Sequence, residues 1–264
     1  MNAHQLDYRI IGEELQCVEI ELDPRETVIA EPGSFMMMDG KIEMHTIFGD
    51  GKEASWLDQV FSAGKRVLTG ERLFLTSFTN TGLGKEQLMF AAPYPGAIIP
   101  LDLSELDGRI ICQKDAFLCA AKGVSIGIEF NKKIGVGLFG GEGFIMQKLE
   151  GDGLAFLHAG GTIVEKVLLP GQEIKVDTGC LVAFTSKVQY DIQYVGGVKN
   201  ALFGGEGLFF ASLRGPGKVW IQSMPFSRLA DRVIASAPKM GGSRRDEGSI
   251  LGDLGGLLRG DRKI

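Results

Sequence analysis

The sequence predicts an all-β protein made of three similar units, and three observations carry that expectation. Two long segments repeat one another at a constant offset of 64 residues without a gap. Inside them apolar and polar residues alternate with the period of two that belongs to a strand with one buried face. Glycine, at 38 of 264 residues, has about twice its usual share of roughly 7%, as a chain of many tight turns requires.

The clearest copies run over 108–157 and 172–221. GRIICQKDAFLCA (Gly108 to Ala120) lies over QEIKVDTGCLVAF (Gln172 to Phe184), and VSIGIEF (Val124 to Phe130) over VQYDIQY (Val188 to Tyr194). LFGGEG then occurs in both, at Leu138–Gly143 and Leu202–Gly207, followed by G-x-G at Gly151 and Gly153 and at Gly215 and Gly217. A weaker copy stands upstream, where VLTGERLF (Val67 to Phe74) aligns with LFGGEGFI (Leu138 to Ile145) and a strand follows at Leu88–Ala91. ETVIAEPGSFMMM (Glu26 to Met38) resembles the half-unit that contains Gly108 to Ala120. Repetition at a fixed period is the mark of a modular fold.

One β domain is therefore expected over 1–237, with units at about 67–137, at 138–201, and at 10–66 completed by 202–222. In that arrangement the chain ends pair and close a pseudo-threefold ring, which removes strand edges that would otherwise invite aggregation. Short strands between Glu31-Pro32-Gly33, Pro170-Gly171 and Asp177-Thr178-Gly179 point to a sandwich or barrel. One late helix is expected at 225–235, where Phe226, Leu229, Ala230, Val233 and Ile234 share a face and Ser223 is in place to cap it. The Gly-rich stretch 238–264 reads as a flexible tail. Made helical, it would line up Ile250, Leu251, Leu254, Leu257 and Leu258, a route to peripheral membrane contact.

Charge and composition exclude several roles. A formal charge of −5 supplies no broad basic field, so a nucleic-acid partner is not expected. The apolar run Phe90–Leu103 is broken by Pro93, Pro95 and Pro100, and a membrane-spanning helix needs about 20 apolar residues. No export or import signal is read at the start, and Cys17, Cys112, Cys119 and Cys180 lie scattered in apolar segments as reduced core thiols. Together these give a cytoplasmic expectation.

Catalytic patterns are equally lacking. The GGEG elements do not feed a helix and lack the Lys-Ser/Thr of a phosphate loop, so they read as hairpins or bulges. Glu71, Glu142 and Glu206 hold equivalent places in the three units. Three carboxylates about an axis can hold a hard cation or ligand, and they can equally accept the N–H groups of neighbouring glycines. His4, His45 and His158 are too scattered for a metal site, and His158 aligns with Gln222. No nucleophile signature is present. Neither an enzyme, a cofactor nor a resident metal is expected. Met36, Met37, Met38 and Met44 read either as core or as an adaptable contact surface.

GGEGFIMQKLEGDGLAFL, GGEGLFFASLRGPGKVWIQSMP, ETVIAEPGSFMMMD and QEIKVDTGCLVAF resemble an uncharacterised bacterial family related to the mitochondrial protein of the altered-inheritance-of-mitochondria group. The likeness covers about residues 10 to 235, and Gly215–Ser223 is its most specific part. That family is similar in fold to the tryptophan RNA-binding attenuation protein. The resemblance thus implies TRAP-like units, either β-sandwiches or double-stranded β-helices. It implies no reaction and no catalytic residues, and fold likeness alone does not carry RNA binding.

The resulting expectation is a non-catalytic interaction or assembly protein that binds a protein partner or itself. Two alternatives stay open: a small-molecule or divalent-cation binder using Glu71, Glu142 and Glu206, and an RNA binder by analogy of fold.

Overall fold

Residues 3–48, 74–132, 144–194 and 209–236 are described by the computed structural model. Its strands fall into three runs. The first has β1 (Asp7–Ile11), β2 (Cys17–Leu22), β3 (Thr27–Ala30), β4 (Phe35–Met38), β5 (Ile42–Phe48), β6 (Phe74–Asn80) and β7 (Glu86–Ala91). The second has β8 (Ala97–Asp102), β9 (Arg109–Gln113), β10 (Phe117–Ala121), β11 (Ser125–Lys132), β12 (Phe144–Glu150) and β13 (Leu154–Ala159). The third has β14 (Ile163–Leu168), β15 (Glu173–Asp177), β16 (Leu181–Thr185), β17 (Gln189–Tyr194), β18 (Phe209–Arg214) and β19 (Gly217–Gln222), and α1 (Phe226–Ser236) follows. The fold is all-β with one late helix among the described residues.

Local chemistry sets the corners. Gly33 and Gly171 turn at φ +90° and +80°, a region closed to most L side chains. Asp177 Oδ1 accepts from Gly179 N at 2.8 Å and holds the single helical turn between β15 and β16. Ser223 does not cap α1. Its hydroxyl oxygen instead accepts from Thr162 N at 2.8 Å, tying the end of β19 to the start of β14.

All ladders among the described strands are antiparallel, and one pairing scheme occurs three times. In one half of a unit β5 pairs with β6 and β6 with β3, as β11 with β12 and β12 with β9, and as β17 with β18 and β18 with β15. In the other half β4 pairs with β7 and β7 with β2. Likewise β10 pairs with β13 and β13 with β8, and β16 with β19 and β19 with β14. Units join where β3 meets β10 and where β9 meets β16. Six-stranded sheets, β5-β6-β3-β10-β13-β8 and β11-β12-β9-β16-β19-β14, therefore cross each boundary. The ends of the array remain as β1-β2-β7-β4 and β15-β18-β17.

The half-units expected to complete one another, 10–66 and 202–222, share no strand pair among the described residues. β18 and β19 pair instead with β15, β17, β14 and β16 of their own unit.

Each unit has its own apolar core, and the joining strands serve two of them. On β10, Phe117 and Ala120 enter the core of the second unit, whereas Leu118, Cys119 and Ala121 enter that of the first. On β16, Leu181 and Phe184 face the third core, and Val182 and Ala183 face the second. A strand buried on both faces reads as a continuous apolar run rather than an alternation, and FLCAA and LVAF are such runs.

Candidate functional site at an open sheet edge

Phe35, Met37 and Met38 stand 82 residues before Phe117, Cys119 and Ala120, and the two strands carry the same irregularity. β4 slips register between Phe35 and Met37 against β7, β10 between Phe117 and Cys119 against β13, and β16 between Leu181 and Ala183 against β19. β4 thus holds in the first unit the place that β10 and β16 hold in theirs. On the face turned to the unit's own core, Phe35 stacks on Phe78 at 5.4 Å between ring centroids but stays 41% exposed, unlike the buried Phe117 and Leu181, and Met38 packs against the first core.

The other face differs. Met36 and Met37 correspond to Leu118 and Cys119 and to Val182 and Ala183, which fill the core of the preceding unit. Cys119, Val182 and Ala183 are wholly buried, and Leu118 nearly so. Met36 is 52% exposed and Met37 40%, since no described strand pairs with β4 on that side. Met44, on β5, is likewise 52% exposed. Burial of a Met side chain contributes about 1.5–3 kcal/mol, so this edge retains a large part of what a junction would gain.

The backbone is placed to match. In the first junction Glu31 N donates to Leu118 O at 3.0 Å, and Lys122 N to Thr27 O at 3.0 Å. Met36 O and Gly40 N stand in the places of Leu118 O and Lys122 N. An edge offering carbonyls, amides and apolar side chains in register accepts an added strand.

At the far end β15 holds the place of β3 and β9. Its Ile174 and Val176 face the third core, as Ile110 and Cys112 face the second. Lys175 is exposed where Ile29 and Ile111 insert into the next unit.

A second cluster repeats across units, and in it His158 Nδ1 is buried without a hydrogen-bond partner among the described residues. Gln222 Oε1 accepts from Gly160 N at 2.8 Å while its Nε2 donates to Gly179 O at 2.9 Å. His158, its counterpart, is 2% exposed and packs edge-on against Tyr94 at 4.6 Å. Tyr94 Oη takes over the second bond by donating to Asp115 O at 3.3 Å. Burial lowers the His158 pKa to about 4, which makes it a neutral packing group. Burial likewise raises the Glu31 pKa to about 7, with the Lys114 charge opposing.

A groove of about 550 Å³ lies beside Ala3, His4, Asp102, Ser104 and Asp152. Its polar groups are engaged internally: His4 Nδ1 accepts from Thr27 N at 2.9 Å, Asp102 from Ser104 N at 2.9 Å, and Asp152 from Ala3 N at 2.7 Å. Among the described residues no three His, Cys, Asp or Glu come together as a metal site. No described helix is long and apolar enough to cross a membrane.

Of the residues singled out in the sequence, Glu71, Glu142 and Glu206, with the GGEG elements and the tail 238–264, lie outside the described residues. His45 is on the surface of β5 beside Glu43, far in role from His4 and His158. Cys112 and Cys119 are buried thiols outside any disulfide whose pKa is raised by desolvation, and Cys17 and Cys180 are half-buried and likewise in no disulfide. The methionines separate: Met36, Met37 and Met44 are exposed, whereas Met38 is packed. The sequence does not single out β15, whose equivalence to β9 shows only in the pairing scheme.

Comparison with known proteins agrees with this architecture. A crystal structure of a Streptococcus pyogenes protein superposes with a TM-score of 0.69 at 24% identity, covering 88% of this chain and all of that one. An uncharacterised protein of Streptococcus pyogenes serotype M6 is 31% identical over 223 residues, 84% of this chain and 86% of its own length. The family model described as mitochondrial biogenesis AIM24 matches residues 8–224. The chain belongs to the mitochondrial biogenesis AIM24 family.

Proposed function

We propose that this chain is a non-catalytic assembly protein that associates through the β4 edge. The observation that carries the reading is the exposure of Met36 and Met37 at positions whose counterparts in the other two units are sealed inside a neighbouring core. In the groove beside His4, His4, Asp102 and Asp152 each accept an internal hydrogen bond, and the deeply buried His158 and Cys119 serve packing, which supports a role in contact rather than in reaction. The family description names a process, mitochondrial biogenesis, and not a reaction, in keeping with a structural part.

Sedimentation velocity across a concentration series tests the reading. The wild-type chain sediments above the 28.5 kDa monomer at high concentration, and Met37→Lys returns it to the monomer with its circular dichroism unchanged. A wild-type chain that stays monomeric at every concentration and salt, with Met37→Lys indistinguishable from it, overturns the reading.

A further inference from the structure

The occupant of the β4 edge can be specified further, on the basis of the assembly reading above. We propose that it is β15 of a second copy of the same chain, paired antiparallel with Met37 opposite Val176 and Met38 opposite Lys175.

Two internal junctions supply the template. In the first, Cys119 faces Ala30, Ala120 faces Ile29 and Ala121 faces Val28. In the second, Ala183 faces Cys112, Phe184 faces Ile111 and Thr185 faces Ile110. The two ladders have one register, and their strands differ by constant offsets. Carrying it to the free ends sets Met37 against Val176, Met38 against Lys175 and Asp39 against Ile174. The chain therefore carries at its ends the two halves of a contact it has already formed twice within itself.

Burial tells the same story on both halves. β3 is buried throughout and β9 along its centre, whereas on β15 only Val176 is buried. β10 is buried along its whole length, whereas Phe35, Met36 and Met37 of β4 are exposed. In the added junction Met36 and Met37 extend the third core of the neighbouring copy, beside Val176 and Ile174. The contact joins two different surfaces, so it runs head to tail and leaves one β4 and one β15 free in every open assembly, which grows until a ring closes.

Lys175 sets the strength. Ile29 and Ile111 bury an apolar side chain in the next unit at this place. A lysine there can lay down its aliphatic stem while its ammonium stays in water, a common guard on exposed edges. Contact between copies is then weaker than contact between units and reverses with dilution. A β4-to-β4 pairing about a twofold axis would leave β15 without a partner and is disfavoured by the template.

Single-cysteine variants of the full chain, Met37→Cys and Val176→Cys, test the register when mixed under mild oxidation. A disulfide-linked dimer in the mixture, absent from either variant alone and from the wild type, supports the proposal. Three results overturn it: no link in the mixture, a link formed by Met37→Cys with itself, or an intrachain link in a monomeric Met37→Cys/Val176→Cys double variant. Lys175→Ile gives an independent readout, expected to tighten association about tenfold or more; unchanged or weaker association counts against β15. If Met37→Lys dissociates the assembly yet no cross-link to Val176→Cys forms, the β4 edge stands and β15 as its occupant falls. If Met37→Lys changes nothing, the assembly reading itself falls.

Discussion

Met37 and Cys119 hold one position in two copies of a single structural unit, each following the slipped residue of its joining strand, yet Cys119 is wholly buried and Met37 is 40% exposed. The difference lies in what surrounds them. Cys119 has a preceding unit to enter, and Met37 has none among the described residues.

One substitution made at both places should therefore have two different effects. Cys119→Lys forces a charge into the first core without a partner and is expected to cost several kcal/mol, on the order of 3–5 as for an unpaired buried charge. Met37→Lys is expected to stay within about 0.5 kcal/mol in unfolding of the dilute monomer, as for an open surface site. Urea titration of both variants reads the contrast. Similar losses at the two positions would show that Met37 is a core residue of the monomer.

Gln222 closes the end of the third unit by accepting from Gly160 N and donating to Gly179 O. Gln222→Leu keeps the bulk and strands both backbone groups, so a loss of roughly 1–3 kcal/mol is expected. Thermal unfolding checks it, and an unchanged melting temperature would mean that other groups satisfy that amide and carbonyl.

Gly96 has no room for a methyl group. A Cβ there would lie 2.6 Å from both Cε1 and Nε2 of the buried His158 ring and would press on Ala159 O. Gly96→Ala is expected to destabilise by about 1–3 kcal/mol through overpacking. The double variant Gly96→Ala/His158→Ala should recover part of that loss, and no recovery would place the strain on the backbone alone.

His158 and Glu31 oppose one another in acid. The folded His158 has its pKa lowered to about 4 from 6.5, so the unfolded chain binds the extra proton and stability falls as pH drops from about 6.5 toward 4. The folded Glu31 has its pKa raised to about 7 from 4.5, so the folded chain binds the extra proton and stability falls as pH rises from about 4.5 through 7. Unfolding followed from pH 4 to 7.5 should give Glu31→Gln a steeper rise with pH than the wild type, and His158→Gln a fall. Parallel curves for all three proteins would remove both assignments.

Much of the fold is legible in the sequence, and the reason is the repeat. Val124 and Ile126 alternate with polar neighbours as Val188 and Ile192 do, and all four are buried. The Pro-Gly corners follow from backbone chemistry, and the late helix from the spacing of its apolar residues. What stays hidden is which half-units join, because pairing between units is written in no local pattern. The runs FLCAA and LVAF announce burial on both faces without naming the second core. FMMM carries the same signal, but in sequence alone it cannot be told from a buried strand. Only the register of β4 against β7 shows that it holds the place of a joining strand, with no described strand on its other side. Ser223 illustrates the opposite error, since a residue with capping chemistry ahead of a helix was better used to bind Thr162.

Hydrogen exchange measured at low and high protein concentration tests most directly whether β4 and β15 are two halves of one contact. Amides of Phe35–Met38 and of Glu173–Asp177 should gain protection together as concentration rises, while those of β10 and β16 stay protected throughout. Protection that is the same at both concentrations, or that rises in β4 while β15 stays unchanged, would contradict it.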